Sequence, residues 1–205
     1  MKKFNIAITG LGGQGIITAG TILKNAVLDS VMQDVSGSER RGGAQREGYV
    51  EAFVKYIFYD SIAELQNPRK NMHSPMIASG DADVLISLEP LETLRAASYV
   101  NKNSVIIFNT NPHIPISVRM GKNKYPELDD ILESLYGITD NVFYYDFNKL
   151  SLENFGSIIS CNVISLGVLF AKTNIPVSKN VIENILLKGS KANDNLKAFN
   201  IGLNL

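Results

Sequence analysis

The chain has 205 residues, 45% of them hydrophobic and 20% charged, which supplies a sizeable core and argues against wholesale disorder. Lys plus Arg and Asp plus Glu balance at 20 each, which argues against a generally basic, nucleic-acid-binding surface. A single cysteine, Cys161, excludes an internal disulfide and a four-thiolate iron–sulfur cluster held by this chain alone, and the two histidines, His73 and His113, have no metal-ligand spacing.

In chain order, Ile6 to Gly10 reads as a buried strand, followed at once by Gly10, Gly12, Gly13, Gln14 and Gly15 and then by apolar residues at helical spacing (Ile16, Ala19, Gly20, Leu23, Ala26, Val27). A second strand is expected over Val31 to Ser36, and a charged loop with paired cations, Arg40 and Arg41, over Gly37 to Gly43. Residues Glu47 to Val54 alternate as a third strand. No helix fits between the second and third strands, so the third is expected to run antiparallel, as a hairpin or edge element. Asp60 to Leu65 is short and helical, and Asn67 to Asn71 is a polar turn.

Asp83 to Leu88 is a strong strand, and Glu89-Pro90 opens a helix to about Ala97, with proline at a permitted first-turn position. Ser104 to Phe108 is another apolar strand, closed by Asn109. A helix over Glu127 to Tyr136, a strand over Val142 to Phe147 and a buried helix around Phe155 to Ala171 follow. Pro176 and Ser178 open the last expected helix, with Val181, Ile182, Ile185 and Leu186 inward. The apolar stretch from Ile158 to Ala171 is too short to span a bilayer, and the amino terminus enters a strand, not a signal peptide, so a cytoplasmic protein is expected. The reading is a single domain over 1–205: α/β, Rossmann-like, a mostly parallel sheet flanked by helices, with an antiparallel edge or hairpin element.

In such a sheet the ligand crevice lies at the carboxyl ends of the strands, here Gly10, Glu89, Asn109 and Asp146. The glycine loop matches G-x-G-x-x-G between a strand and a helix, where orphan N–H groups and the helix dipole favour an anion. Against a bound NAD stand the missing crossover helix and the position of Asp34, inside the second strand instead of at its end. No Lys-Ser/Thr follows the loop, so it is not a Walker site. The glycines also permit close strand–helix packing with no ligand. Arg40 and Arg41 suit a phosphate, a carboxylate or a partner subunit. Cys161, inside an apolar stretch, reads as a small buried hydrophobe.

The ordered set of Gly10 to Gly15, Ser38-Glu39-Arg40-Arg41-Gly42-Gly43, Ser74-Pro75, Ala82 to Ile86 leading to Glu89-Pro90-Leu91-Glu92, Val105 to Thr110, Asn162 with Leu166-Gly167, and Asn195 with Ala198-Phe199 and Gly202 resembles the gamma subunit or domain of 2-oxoacid:ferredoxin oxidoreductases, a group that includes the pyruvate and indolepyruvate enzymes. The resemblance spans nearly the whole chain. Asp60 to Asn71 departs from it as an apparent insertion.

The resemblance implies an accessory subunit of an enzyme that oxidatively decarboxylates a 2-oxoacid to acyl-CoA. Thiamine diphosphate, Mg and iron–sulfur clusters are expected on partner subunits of alpha, beta and delta type, with ferredoxin as acceptor. CoA is a candidate ligand at a shared site. Gly80-Asp81-Ala82 only mimics the opening of a thiamine diphosphate fingerprint, and no Asn-Asn pair follows. On this reading Gly10, Gly12, Gly13, Gln14 and Gly15 shape a loop facing the crevice. Arg40 and Arg41 orient an anion or dock a subunit, and Glu89 and Asn109 supply polar contacts at the crevice floor. None is a catalytic acid, base or nucleophile, and no metal site is expected. The alternatives are a stand-alone dinucleotide-binding oxidoreductase and a ligand-free assembly module. No nucleic-acid or membrane partner is expected, and the isolated chain is a candidate homodimer.

Overall fold

The computed structural model describes residues 2–26, 33–43, 48–66, 74–189 and 191–205. Six strands form one sheet: β1 (Lys2–Leu11), β2 (Gln33–Arg41), β3 (Tyr49–Phe58), β4 (Val84–Ser87), β5 (Val105–Asn109) and β6 (Val142–Tyr145). Helices α1 (Ile16–Asn25), α2 (Ile62–Leu65), α3 (Pro90–Arg95), α4 (Ile116–Arg119), α5 (Leu128–Tyr136), α6 (Phe147–Phe155), α7 (Cys161–Lys172), α8 (Lys179–Leu187) and α9 (Ala192–Leu203) surround it, with 3-10 turns at Ala96–Tyr99 and Ile158–Ser160. The strand order is β2-β3-β1-β4-β5-β6. β1, β4, β5 and β6 are mutually parallel, and β3 is antiparallel to both β1 and β2. The expected α/β class and its antiparallel element are both present.

Side chains alternate between the two faces of the sheet. Ile6, Ile8, Val54, Tyr56 and Ile86 pack under α1, α7 and α9, while Ala7, Phe53, Leu85 and Ile106 pack under α3 and α5. No helix of the described residues is long and apolar enough to cross a membrane.

Two close approaches fix the helical layer. A Cβ on Gly20 of α1 would lie 2.9 Å from the Ala52 Cβ, so the helix rests directly on β3. Where α7 crosses α9, a Cβ on Gly167 would lie 2.2 Å from the Phe199 carbonyl oxygen, and one on Gly202 would lie 2.0 Å from that of Ile164. The pair lets the two backbones touch.

Several boundaries differ from the sequence reading. β2 begins at Gln33 and runs through the segment expected to be a loop, ending at Arg41. Gly37 is a strand residue there, opposite Val54, and leaves room for the Lys24 side chain, whose Cδ would stand 3.0 Å from a Cβ. Lys24 then reaches Glu39 at 3.2 Å. β3 extends four residues beyond Val54, to Phe58. β6 stops at Tyr145, because the Asp146 carboxylate accepts the Lys149 N–H at 2.8 Å and caps α6. The buried helix starts at Cys161, after the 3-10 turn. The helix after Ser178 is not the last, since α9 follows. The Asn67–Asn71 turn, His73, and the ends of the expected second and third strands at Val31 and Glu47 lie outside the described residues.

Candidate functional site

The glycine loop joins β1 to α1 at the carboxyl end of the parallel strands. Gly10 lies beneath it, where a Cβ would come within 2.6 Å of Gln14 Oε1. Both polar atoms of the Gln14 side chain are engaged within the fold. Its Oε1 accepts the Leu11 N–H at 2.7 Å, and its Nε2 donates to the Leu88 carbonyl at 3.0 Å, so it braces the loop to the end of β4. Gly15 caps α1 in the left-handed region (φ 82°). From the far side Asn162 Nδ2 donates to its carbonyl at 3.2 Å, and a Gly15 Cβ would lie 2.5 Å from that nitrogen. Asn162 is thus a positioning residue; the sequence singles it out only as part of the resemblance.

A cleft of about 540 Å³ opens between this loop and the end of the β2–β3 hairpin. Gly12, Gly13, Gly15, Ile17, Thr18 and Arg41 are among its walls. Thus the structure brings together most of the glycine loop, the first turn of α1 and one of the two arginines. Arg41 also stands 3.6 Å from Glu39. Strand alternation sends Arg40 to the opposite face, where it lies 3.8 Å from buried Glu51 and lines none of the clefts along this edge. The two were expected to act from one loop; because they are consecutive strand residues, only Arg41 joins the glycines.

Glu89 and Asn109 are buried and already occupied. Glu89 caps α3 by accepting the Glu92 N–H at 2.9 Å, and it also accepts the His113 N–H at 3.1 Å and the Tyr125 hydroxyl. Burial and the Glu89 carboxylate push the Tyr125 hydroxyl pKa up. Glu89 borders a second cleft, of about 360 Å³, with Tyr49, Glu92 and Arg95. Asn109 donates to the Leu88 carbonyl (3.2 Å) and to Asn148 Oδ1 (3.0 Å), and accepts the Phe147 N–H (2.9 Å). It borders a third cleft, of about 240 Å³, with Gly12, Gln14, Asn148 and Cys161. Leu11 is the wall shared by all three clefts. The Cys161 thiol donates to Asn148 Oδ1 at 3.4 Å, and burial pushes its pKa up to about 11, which leaves it inert as a nucleophile at neutral pH.

Buried Glu51 on β3 and half-buried Asn148 on α6 escaped the sequence reading, and buried Glu92 on α3 entered it only as part of the resemblance. Burial pushes the carboxyl pKa of Glu51 and of Glu92 up. Glu51 sits in an alternating strand and Glu92 in a capped helix, and neither pattern marks a buried charge.

Among the described residues no group of three or more His, Cys, Asp or Glu is placed to hold a metal. Asp81 does not fit a magnesium diphosphate. Its carbonyl and carboxylate both accept from the Asn5 side chain, at 2.7 and 3.1 Å, just before β4 begins and therefore at the sheet end opposite the glycine loop. The first turn of a helix and one guanidinium border the main cleft together, a combination whose chemistry suits an anion.

A family model described as pyruvate ferredoxin/flavodoxin oxidoreductase matches residues 5–205. The chain is 35% identical to indolepyruvate oxidoreductase subunit IorB of Archaeoglobus fulgidus, over 98% of this chain and 94% of that one. It is 33% identical to the IorB subunit of Thermococcus kodakarensis, over 99% and 96%. Among solved structures, the gamma subunit of keto/oxoacid ferredoxin oxidoreductase from Geobacter sulfurreducens has the same fold (TM-score 0.65, 21% identity, 98% of this chain and 96% of that one). So does pyruvate oxidoreductase subunit PORC from Thermotoga maritima (TM-score 0.70, 19% identity, 100% and 97%). With a match over nearly its whole length and the strand order and glycine-loop cleft described above, the chain belongs to the pyruvate ferredoxin/flavodoxin oxidoreductase family.

Proposed function

We propose that the chain is the accessory, gamma-type subunit of a cytoplasmic 2-oxoacid:ferredoxin oxidoreductase, and that its 2-oxoacid is an aryl pyruvate of the indolepyruvate kind. The substrate class rests on the relatives named for that enzyme, which match this chain from end to end at 31 to 35% identity. On this reading residues 1–205 form one gamma-type domain. Alpha-, beta- or delta-type partners carry thiamine diphosphate, Mg and the iron–sulfur clusters, and ferredoxin takes the electrons.

The observation that carries the accessory role is the character of the main cleft. Among the described residues its walls are the glycine-loop backbone, apolar side chains, the Thr18 hydroxyl and Arg41, with no acidic group, histidine or cysteine. Gly13, Gly15, the first turn of α1 and Arg41 hold an anionic group there, for which the diphosphate of CoA has suitable chemistry; Gly10, Gly12, whose N–H donates to the Gly48 carbonyl at 2.8 Å, and Gln14 shape the loop. Glu89 and Asn109 position the crest instead of contacting ligand, and Arg40 positions Glu51. Exposed Ile116, on the second cleft, and Ile158 and Ile159, on the third, supply apolar surface for partner subunits, or for a second copy when the chain is isolated.

The dinucleotide alternative is disfavoured by position. β3 lies between β1 and β2, so Asp34 is two strands from β1, about 10 Å away, and its Oδ1 accepts the Val35 N–H. The test is reconstitution. The isolated chain is expected to show no 2-oxoacid oxidation and to restore turnover to a complex lacking it. Arg41→Ala should weaken CoA binding by about tenfold, the loss of one charge-assisted contact, while Arg40→Ala leaves it unchanged. Turnover by the isolated chain would reject the accessory role, and equal effects of the two substitutions would reject the site.

A further inference from the structure

β2 is the outermost strand of the sheet, and one of its two edges has no neighbouring strand among the described residues. Which groups face that edge follows from the hydrogen bonds on the other side. The Gly12 N–H donates to the Gly48 carbonyl and the Gly42 N–H to the Tyr49 carbonyl. Even-numbered residues of β3 therefore bond β1, and odd-numbered ones bond β2. In β2 the even-numbered residues are the ones bonded to β3, and Gln33, Val35, Gly37, Glu39 and Arg41 turn N–H and C=O to the open edge. None of these outward groups has a main-chain partner among the described residues; the Val35 N–H has the neighbouring Asp34 carboxylate, at 2.8 Å. The strand is 9 residues long, against a usual length of about 5–6. An open edge of that length is a template for another strand.

We propose that β2 pairs antiparallel with β2 of a second copy of this chain, about a two-fold axis at Gly37. The charges along the strand select that register. Gly37 is its middle residue, so the whole strand pairs: Gln33 lies opposite Arg41 of the other copy, Asp34 opposite Arg40, Val35 opposite Glu39 and Ser36 opposite Ser38. The odd-numbered residues exchange main-chain bonds. Asp34 and Arg40 become a non-hydrogen-bonded pair, the closer kind of cross-strand neighbour, once on each side of the axis. Both side chains are exposed, and both lie on the face of the sheet away from α1. Moving the axis to Ser36 or Ser38 loses both charge pairs, and moving it to Glu39 or Arg40 sets that charge against itself. Charges on an edge strand ordinarily keep other strands away; these oppose the shifted registers and fit one. On the α1 face, Lys24, which passes over Gly37, is already paired with Glu39 of its own copy at 3.2 Å, so no unpaired charge meets its counterpart at the axis. Such an interface uses the same patch on both copies, and it does not depend on the accessory-subunit reading.

Sedimentation equilibrium of the isolated full chain, carried to about 1 mM so that weak association is included, should show monomer and dimer. Amide hydrogen exchange locates the contact. With rising concentration, exchange should slow at Val35, Gly37 and Glu39, which face the open edge, and change little at Ser36, Ser38 and Arg40, which already bond β3. Asp34→Arg sets arginine against Arg40 on both sides of the axis and should weaken the dimer about tenfold. Combining Asp34→Arg with Arg40→Asp restores both pairs with their signs exchanged and should recover the affinity. The exchange pattern is read on the wild-type chain, so the test does not depend on the variants folding. A chain that stays monomeric overturns the proposal, as does a folded exchanged variant that dimerises no better than Asp34→Arg. A dimer without protection at β2 places the second copy elsewhere, and protection that arises only when partner subunits are added assigns the edge to another chain; either result also overturns it.

Discussion

Besides the Gln14 brace, the loop at the main cleft is held by Asn162 of α7, and the strength of that contact can be worked out. Gly15 is left-handed, with Asn162 Nδ2 donating to its carbonyl at 3.2 Å and standing 2.5 Å from where a Cβ would be. Gly15→Ala therefore has two costs. A residue with a Cβ in that backbone region loses about 1–2 kcal/mol. The displaced amide loses its hydrogen bond, about 1 kcal/mol. The total is about 2–3 kcal/mol, or a fall of about 1–1.5 M in urea midpoint for a slope near 2 kcal/mol/M. Asn162→Ala loses the same bond, together with the one its Oδ1 accepts from the Val163 N–H. The bond to Gly15 is thus broken in either single variant. The double variant should fall about 1 kcal/mol short of the sum of the two, well outside the additivity seen for independent sites. Urea titrations of the four proteins give that coupling directly. Strict additivity would refute the claim that Asn162 holds the glycine loop.

The helix crossing gives a harsher result. Gly167→Ala places a Cβ 2.2 Å from the Phe199 carbonyl oxygen, against backbone that cannot rotate away, so a loss of about 3 kcal/mol is expected, the upper range for overpacking. Gly43→Ala, with nothing among the described residues within 4 Å of the new Cβ, should be nearly neutral in the same urea titrations. Buried Glu51 predicts a pH dependence. Desolvation, outweighing Tyr99 and Arg40, raises its folded pKa above the ordinary value of 4.5. Its contribution to stability is therefore fully present below 4.5 and is lost as pH rises through the folded value. Glu51→Gln should flatten that loss between acid and neutral pH, and an unchanged stability–pH profile would show that another group carries it.

Strand positions in the parallel half were legible because buried parallel strands read as short apolar runs, as at Val84–Ser87 and Val105–Asn109. The antiparallel placement of β3 followed from the missing crossover helix. β2 was cut short because Gly37 and the run Glu39-Arg40-Arg41 carry turn-like composition. They remain in the strand because pairing with β3 and the passing Lys24 chain outweigh local preference. α6 and α9 were missed for different reasons. The first follows β6 with no intervening loop, behind the Asp146 cap. The second is mixed in polarity and is made helical by its crossing with α7 at Gly167 and Gly202. The glycine loop was legible as a motif, but the inward turn of Gln14, Glu89 and Asn109 depends on partners distant in sequence, such as Leu88, Tyr125 and Asn148.

That inward turn decides how recognition works here. A polar side chain at a strand end can contact a ligand only if it is not already spent holding the crest together. Glu89 accepts three hydrogen bonds, Asn109 makes three and Gln14 two. Redirecting any of them outward would leave buried partners unsatisfied, at about 1–3 kcal/mol each. The first-turn N–H groups of α1 have no intrahelical acceptor, and the guanidinium of Arg41 is mostly exposed. Among the described residues the main cleft is therefore bordered by main-chain groups of the glycine loop and by one exposed guanidinium at its rim. A surface of that kind discriminates by charge and shape.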